Sequence, residues 1–388
     1  MRASSPSQRD GALIIVTTSF PLERDGREAA GSFVADLAEA LGRHHVVRVV
    51  APGPESSHEI LDERLHVFRF EAPDRPLSTL RPWNPRDAWS IASVLRSGRR
   101  ALEAAADAGP TRHVLALWAL PSGTWARGLW KERGIPYSVW TLGSDIWSLG
   151  RIPVVRRRLA QVLADAQIRF ADGLQLADDT RRLAARDVEF LPSSRSLPFE
   201  RPEPPRSEPP YRLLFLGRWH PNKGVDILVE ALQRLDDADW QRIAEVRICG
   251  GGPLEPMVRD RAAALAAAGR PVRCDGYLDK MAACEAIAAA DYLVIPSRIE
   301  SIPVVFSDAM KLACPVVCAP AGDLPRLVQE GGVGLCAERV GDPDAFARLL
   351  RSALATSPSL FGARIPAMAA RFSVERLIVP RISMLLEQ

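Results

Sequence analysis

The stretch DYLVIPSRIESIPVVFSDAM, residues 291–310, decides the fold of this chain. Its first part is a short apolar run typical of a buried strand, and Pro303 suits the first turn of a helix. Glu300 then falls in the loop between strand and helix, and Asp308 lies about a turn and a half into the helix. Loops of this kind line the crevice at the carboxyl ends of parallel strands, so both carboxylates are predicted to face one ligand there. The alternative is a solvated loop Glu and an Asp on the surface of the helix.

The same unit, an apolar run followed by an amphipathic stretch, recurs along the chain. Strands are predicted in the first half at ALIIVTTS (12–19), VVRVVA (46–51), LHVFRF (65–70), HVLALW (113–118) and YSVWT (137–141). In the second half they are predicted at YRLLFLG (211–217), VRICG (246–250), PVRCDG (271–276), DYLVIP (291–296) and PVVCAP (315–320). Helical patterns between them include residues 29–42 and 87–106. This alternation predicts an α/β fold of doubly wound, Rossmann-like parallel sheets.

The segment ERPEPPRSEPP, residues 200–210, interrupts this alternation with five prolines and alternating charge. It suits neither a helix nor a central strand, so we interpret it as an interdomain linker. The chain is then predicted to form one domain over residues 1–199 and another over residues 211–372, facing across a cleft. Neither half contains a GxGxxG sequence that opens a helix, so nicotinamide and flavin cofactors are not favoured.

The composition excludes several classes of protein. With 388 residues, 47% of them hydrophobic, the chain is long enough for two cores, and a formal net charge of +3 does not favour nucleic acid as a partner. The amino terminus lacks the features of a signal peptide, and no apolar run reaches 18 residues. We therefore expect a cytoplasmic protein.

The cysteines give no indication of a metal site. All six lie in the second half, and none forms a CxxC pair. Cys249 and Cys318 end apolar runs where a thiol behaves as a small hydrophobe. We expect buried free thiols and no bound metal, because no histidine cluster supplies other ligands.

Two loops of the second half carry residues suited to phosphate. The sequence GRWHPNKG, residues 217–224, places Arg218 and Lys223 between a strand and a helix, where helical N–H groups already favour an anion. Lys223 is one of only four lysines in an arginine-rich chain. Gly250–Gly252 allow positive φ and a close approach of backbone to ligand. The alternatives are solvated surface cations and a simple tight turn.

Together these segments resemble the retaining glycosyltransferases of family 4, also called glycosyl transferases group 1, which have the two-domain GT-B fold. GRWHPNKG resembles the G-R-x4-K-G segment of the family, CGGGP its G-x-G-P turn, and residues 296–310 its E-x7-E signature. Residues 373–388 resemble the terminal helix that crosses back to the first domain. HVLALWALPSG and WTLGSD are similar to family segments on the acceptor side.

The resemblance implies a role for each matched residue. Glu300 would bind hydroxyls of the donor sugar and Asp308 the ribose of the nucleotide, while Arg218 and Lys223 would stabilise the departing diphosphate. The resemblance also implies two larger sets of residues, one that binds the donor and one on the acceptor side. The donor-binding set also contains Gly251, Gly252, Tyr277, Ser301, Ile302, Val304 and Val305, and the acceptor-side set contains Gly31, Ser144 and Asp145. The substrate would be a UDP- or GDP-sugar, with no further cofactor and no metal.

The chain also departs from the family pattern. Asp308 stands where the family has Glu, and Pro303 removes one N–H group from the loop. Leu115, Leu117 and Leu142 stand where the first domain often has histidine, and Arg326 stands where Glu is usual. These departures leave open an altered donor, or a protein that binds sugar nucleotides without turning them over.

The acceptor is indicated only by aromatic and basic residues. Trp147 precedes a group of arginines, Arg151, Arg156, Arg157 and Arg158, which suits an anionic membrane surface and a lipid-linked acceptor. The alternatives are a core Trp beside solvated arginines, or stacking of Trp83 and Trp89 on sugar rings. We predict transfer to a saccharide or lipid-linked acceptor in cell-envelope or exopolysaccharide synthesis. For the protein we predict peripheral contact with the inner face of the membrane. The other candidates are a sugar-nucleotide-binding protein and a GT-B sugar-nucleotide epimerase.

Overall fold

The computed structural model describes residues 11–23, 31–73 and 84–387. Contacts divide the chain into two compact units. The first takes the described residues of 1–22, 30–192 and 374–388, and the second those of 23–29 and 193–373. No helix within these described residues is long and apolar enough to cross a membrane.

The first unit is built on an eight-stranded sheet in the order β3-β4-β2-β1-β5-β6-β7-β8. All neighbours pair in parallel except β3, which runs antiparallel to β4 at the edge. Its strands are β1 (Ala12–Val16), β2 (Val47–Gly53), β3 (Ser57–Ile60), β4 (Leu65–Glu71), β5 (Thr111–Leu117), β6 (Tyr137–Thr141), β7 (Arg169–Ala171) and β8 (Glu189–Phe190).

Helices cover the sheet of the first unit. They are α1 (Ser32–Gly42), α2 (Pro85–Asp107), α3 (Ser122–Arg133), α4 (Ser144–Trp147), α5 (Pro153–Asp165), α6 (Leu174–Ala184) and α14 (Val379–Ser383). Every residue of β1 is buried, as expected of a central strand with both faces covered. Alternate side chains of β1 pack into different apolar clusters, Leu13 and Ile15 in one and Ile14 and Val16 in the other, because successive side chains of a strand point to opposite faces.

The second unit has a fully parallel six-stranded sheet in the order β11-β10-β9-β12-β13-β14. Its strands are β9 (Tyr211–Leu216), β10 (Ile243–Cys249), β11 (Val272–Asp275), β12 (Tyr292–Ile295), β13 (Val316–Cys318) and β14 (Gly334–Cys336). Its helices are α7 (Val225–Leu232), α8 (Asp237–Gln241), α9 (Glu255–Ala267), α10 (Lys280–Ala289), α11 (Val304–Lys311), α12 (Pro343–Ala355) and α13 (Ile365–Ala370). Side-chain caps begin several of them, as where Asp279 accepts from Ala282 N–H at α10.

Short helical turns complete the two units. Those with 3₁₀ geometry are Leu149–Arg151, Pro221–Lys223, Pro358–Phe361 and Met384–Leu386, and those with π geometry are Arg326–Glu330 and Val374–Ile378.

Residues 200–210, predicted as a linker, belong to the second unit in the structure. Asp291 is buried, and its two carboxylate oxygens accept from the backbone N–H groups of Arg206 and Arg212 at 2.7 Å each. Arg201 donates to the carbonyl of Ala290 at 2.9 Å. The proline-rich segment is therefore held by hydrogen bonds to residues of the second unit.

The carboxyl-terminal residues from Val374 onward pack with the first unit. Arg381 binds Glu189 through two N–H···O contacts of 2.7 and 2.8 Å, and Ser383 Oγ lies 2.8 Å from His45 Nε2. The chain thus leaves the second unit after Ser373 and ends on the first.

Every strand predicted from the sequence overlaps a strand of the structure, and the α/β fold of doubly wound sheets is confirmed. The sequence did not predict β3, β7, β8 and β14. These strands have two to four residues and lie at or near sheet edges, so they carry little apolar periodicity. The first sheet is parallel except at its edge, where β3 pairs antiparallel with β4.

Candidate functional site

The candidate site lies where the strand order of the second sheet reverses. Strand β9 has β10 on one side and β12 on the other, so the chain leaves β9 in one direction and later returns to its opposite edge. The loops that follow β9 and β12 begin on neighbouring strands at this switch point. Open α/β sheets bind ligands at such a point, at the carboxyl ends of their strands. The first loop carries Arg218 and Lys223, and the second carries Glu300.

Backbone contacts hold these two loops together. Arg298 N–H donates to the carbonyl of Asn222 at 2.8 Å, and its guanidinium donates to the carbonyl of Pro221 at 2.6 Å. Gly224 has φ 68°, and a Cβ there would lie 2.0 Å from the Pro296 carbonyl oxygen. Only glycine fits this approach, which brings the amino end of α7 against the end of β12.

The Arg298 guanidinium also forms a two-point pair with Asp226 in the first turn of α7. Its Nη1 and Nη2 lie 2.8 and 2.7 Å from the two carboxylate oxygens. Partial burial would raise the pKa of Asp226, but the hydrogen bonds and charge of Arg298 hold that pKa below its ordinary value of 3.8. This planar pair fixes the second loop on the first.

Lys223 and Glu300 are brought into direct contact by this arrangement. Lys223 Nζ lies 2.5 Å from Glu300 Oε1, and Ser297 Oγ donates to the same oxygen at 2.9 Å. The Glu300 side chain is only 9% exposed, so the alternative of a solvated loop Glu is wrong, whereas the Lys223 side chain is 36% exposed. Arg218, five residues before Lys223, is exposed. No carboxylate in the described part of the chain pairs with it.

The glycine turn after β10 packs against the first loop. Gly250 has φ 143°, and a Cβ there would lie 1.9 Å from the Gly217 carbonyl oxygen. The Gly251 carbonyl accepts from Trp219 N–H at 2.8 Å and from Tyr277 Oη at 2.6 Å. Because Trp219 is fully buried, it anchors the loop on which the exposed Arg218 stands. The Tyr277 ring is 55% exposed and available for stacking.

The backbone from Ser301 to Val305 leads into α11. Ser301 and Ile302 are buried, and Val304 and Val305 begin the helix, where the N–H groups have no intrahelical acceptor. The Ser301 hydroxyl is buried without a hydrogen-bond partner among the described residues. Pro303 is the residue before the helix instead of its first residue, so the predicted loss of one N–H group falls at the cap position.

Asp308 lies inside α11 and is fully buried, so the alternative of an Asp on the helix surface is wrong. Its Oδ2 accepts from Arg195 through Nε at 3.1 Å and through Nη2. Its Oδ1 is buried and has no hydrogen-bond partner among the described residues. Asp308 is thus part of an ion pair before any ligand arrives.

Lys311, one turn further along α11, holds the same segment. Its Nζ donates to Ser194 Oγ at 2.6 Å and to the Arg195 carbonyl at 2.5 Å. The sequence did not predict roles for Arg195, Lys311 or Arg298. The scarcity of lysine marks Lys311 as unusual, but nothing local connects Arg195 with α11, because 113 residues separate Arg195 from Asp308.

The residues predicted for the acceptor side all lie in the first unit. Asp145 is buried, and its carboxylate accepts from Ala119 N–H at 2.8 Å and from Leu142 N–H at 3.3 Å. Burial raises the pKa of Asp145, and the backbone donors oppose that rise. Asp145 therefore ties the β5 loop to the β6 loop, while Ser144 beside it is exposed.

Two backbone features accompany these residues. Gly31 has φ 77° at the start of α1, and a Cβ there would lie 2.6 Å from Phe20 N. Trp118, at the end of β5, has φ 64°, a conformation that residues other than glycine rarely adopt. Trp118 belongs to neither of the two sets of site residues predicted from the sequence.

The predicted aromatic and basic segment is divided by the structure. Trp147 is partly buried, and its Nε1 donates to Asp179 at 2.7 Å, so it is a structural residue. At the start of α5, Ile152 is 47% and Val154 is 83% exposed, and the neighbouring arginines 151, 156, 157 and 158 are exposed too. Trp89 is 72% exposed, and Trp83 lies outside the described residues.

The cysteines are all free thiols. Four are buried as expected, and Cys274 and Cys336 are partly exposed. Burial raises the pKa of Cys249 and of Cys314 to about 12, which makes both unreactive. The described ranges contain no group of three or more His, Cys, Asp or Glu side chains that could hold a metal ion.

Comparison with known proteins shows that part of this chain is similar to glycosyltransferases. Residues 210–356 match the family model of Glycosyl transferases group 1. The chain is 36% identical over 146 residues to D-inositol 3-phosphate glycosyltransferase of Corynebacterium efficiens, covering 36% of this chain and 34% of that protein. It is 26% identical over 229 residues to a putative teichuronic acid biosynthesis glycosyltransferase of Bacillus subtilis, covering 55% and 54%.

Comparison with solved structures shows similarity of fold over 97% of the chain. Sucrose-phosphate synthase from Thermosynechococcus elongatus superposes with a TM-score of 0.74 at 18% identity, covering 97% of this chain and 98% of that one. The protein therefore has the GT-B fold, and residues 210–356 of its second unit are similar to the glycosyl transferases group 1 family. The chain spans about a third to a half of the length of the curated relatives it matches.

Proposed function

We propose that this protein is a glycosyltransferase that moves a sugar, a hexose or a related one, from a nucleoside diphosphate to a saccharide or lipid-linked acceptor, with retention. The observation that carries the proposal is the contact between Lys223 and Glu300 at the switch point of the second sheet. A diphosphate needs cations and N–H groups, whereas sugar hydroxyls need an acceptor, and this pair offers both within one small region.

Arg218 and Lys223 serve the diphosphate in this proposal. Arg218 is exposed, and the Lys223 ammonium has three N–H donors of which Glu300 takes one. A phosphate oxygen then shares Lys223 with Glu300 without breaking their pair. The N–H groups that begin α11 add partial positive charge from the neighbouring loop.

Glu300 serves the transferred sugar. One of its oxygens is occupied by Lys223 and Ser297, and the remaining acceptor capacity is directed to sugar hydroxyls. Holding the sugar beside the diphosphate cations aligns the bond that breaks with the charge that stabilises its departure.

In the reaction, the bond between the anomeric carbon and the phosphate oxygen breaks, and its electron pair remains on the nucleoside diphosphate. Arg218 and Lys223 stabilise this charge as it develops. An acceptor hydroxyl forms the new bond on the same face, and its proton passes to the departing phosphate oxygen. No side chain of the enzyme is required as a nucleophile, and the cations account for leaving-group stabilisation without a metal.

The acceptor is proposed from the names of relatives and from the surface of the first unit. A relative bears the name of a teichuronic acid biosynthesis enzyme, which supports a role in polysaccharide synthesis. We place the reaction in cell-envelope or exopolysaccharide assembly on the cytoplasmic side. Ile152 and Val154, surrounded by exposed arginines, suit peripheral contact with anionic lipid. Val154→Asp is expected to reduce sedimentation with phosphatidylglycerol vesicles, and unchanged sedimentation would contradict this contact.

The main experiment incubates the full chain with a panel of UDP- and GDP-sugars and measures binding, donor hydrolysis and products. We expect one donor to bind and to be hydrolysed slowly, and mass spectrometry to detect a glycosylated product when a suitable saccharide or lipid acceptor is added. Binding without any turnover would favour a sugar-nucleotide-binding protein. Formation of a new sugar nucleotide would favour an epimerase, and absence of binding would reject all three.

A further inference from the structure

The buried ion pair of Arg195 and Asp308 involves only one of the two carboxylate oxygens of Asp308. Arg195 donates to Asp308 through Nε and through Nη2, and these two contacts go to the same oxygen, Oδ2. Oδ1 is buried as well and has no hydrogen-bond partner among the described residues. Structures rarely leave a buried carboxylate oxygen unsatisfied, so Oδ1 requires a partner other than the described residues.

The two side chains differ in their access to solvent. The Asp308 side chain is 0% exposed and that of Arg195 is 13% exposed. An isolated buried carboxylate would be costly, and the guanidinium provides the opposite charge. Arg195 therefore provides the opposite charge for Asp308 and binds one of its two carboxylate oxygens.

The backbone of Arg195 is itself fixed. Lys311 donates to the Arg195 carbonyl at 2.5 Å and to Ser194 Oγ at 2.6 Å, and Ser194 Oγ in turn donates to the Phe372 carbonyl at 2.8 Å. The guanidinium thus approaches Asp308 from a segment that is attached to α11 one turn beyond Asp308. This attachment holds the backbone of Arg195 beside α11, within reach of Asp308.

We infer that Arg195 is a positioning residue for the nucleoside end of the donor: it engages Oδ2 of Asp308 so that Oδ1 accepts a hydrogen bond from a ribose hydroxyl. The inference rests on the proposed function and adds a residue that no motif contains. Because Oδ1 is covered before a ligand binds, neighbouring side chains must shift on binding, as side chains at binding sites commonly do. Asp308 is one methylene shorter than the Glu of the family pattern, and it suffices for this contact because Arg195 sets the position of its carboxylate.

The test compares a nucleoside diphosphate with its 2′,3′-dideoxy analogue by titration calorimetry. UDP and GDP are tried first, and the one that binds is used with its analogue. In the parent protein we expect the dideoxy analogue to bind about tenfold more weakly, because one charge-assisted hydrogen bond is lost. In Arg195→Ala we expect the affinity for the nucleoside diphosphate to fall by about the same factor, and the ratio of the two affinities to approach one.

The controls separate positioning from general structure. Arg242→Ala removes an arginine of the same unit whose guanidinium donates to the Leu354 carbonyl, and it should leave the ratio unchanged. If Arg195→Ala does not fold, Arg195→Gln takes its place, since it keeps a donor and removes the charge. A ratio that persists in the Arg195 variant, or tighter binding of both ligands, would overturn the inference.

The outcomes also distinguish this inference from the proposed function. If the parent binds neither UDP nor GDP, the proposed function fails and this inference fails with it. If the parent binds one of them and shows no penalty for the dideoxy analogue, the inference alone fails. A penalty that disappears in Arg195→Ala but not in Arg242→Ala supports it.

Discussion

Lys223 and Glu300, 77 residues apart in the chain, form a direct ion pair at the switch point of the second sheet. Each lies on a loop that follows one of two neighbouring strands, and Arg298 fastens the second loop to the first. The contact joins the residue proposed for phosphate to the residue proposed for the sugar. Removing either one therefore changes the electrostatic environment of the other.

Lys223→Ala is expected to lower the affinity for a nucleoside diphosphate by roughly ten- to a hundredfold. This corresponds to about 1.5–3 kcal/mol for the loss of a charge-assisted hydrogen bond. The affinity for the nucleoside alone should change little, because the lost contact is to phosphate. Titration calorimetry with both ligands measures the difference. Lys131→Ala, at an exposed position of the first unit, is the matched control. Equal weakening of both ligands would show that Lys223 does not bind phosphate.

Glu300→Gln is expected to lower the rate of transfer without weakening the binding of the free nucleoside diphosphate, because loss of the Glu300 charge leaves Lys223 at least as available to phosphate. The substitution keeps the size of the side chain and removes the charge that binds sugar hydroxyls, and the free diphosphate has no sugar. Transfer rates and calorimetry on the same preparation measure the two effects. A large loss of diphosphate affinity would contradict the division of roles.

Asp308→Glu is expected to destabilise the second unit by about 1–3 kcal/mol, because an additional methylene must fit at a position that is fully buried and already paired with Arg195. The midpoint of urea unfolding measures the effect. Asp226→Glu, at a partly exposed position, should cost less. If Asp308→Glu is as stable and as active as the parent, the pocket accepts either acid.

Asp226→Asn is expected to lower stability at pH 7 by about 0.5–1 kcal/mol, a small value because solvent screens this partly exposed pair. The folded-state pKa of Asp226 lies below its ordinary value of 3.8, so the stabilisation is fully present above 3.8 and is lost as the pH falls through the folded pKa. Urea unfolding of parent and variant at several pH values should therefore converge below 3.8. A difference that persists in acid would reject the ion pair as its cause.

Donor binding is expected to withstand EDTA. The charges that the diphosphate requires are assigned to Arg218, Lys223 and the N–H groups at the start of α11. Binding of the sugar nucleotide with and without EDTA, followed by addition of Mn²⁺, tests this assignment. Loss of binding that Mn²⁺ restores would show that a metal carries part of the charge.

Local patterns were sufficient for the framework of the site. The apolar runs predicted β9 and β12, and Pro303 with the residues around it predicted the loop that carries Glu300 and the helix that carries Asp308. Such features are visible in sequence because burial imposes a period of two on strands and about 3.6 on helices. The antiparallel β3 was not visible, since its four residues are mostly exposed and its pairing depends on β4.

The sequence by itself determined which residues stand at the ends of strands and at the starts of helices, and through them the positions of Lys223, Glu300 and Asp308. Only the tertiary structure decided their partners: Lys223 with Glu300, Arg298 with Asp226, and Arg195 with Asp308 across 113 residues of chain. The physical reason is that secondary structure follows from neighbours within a few residues, whereas an ion pair depends on where packed elements bring distant side chains together. Burial, which separates the charge of Asp308 from solvent, is likewise a property of the packed unit.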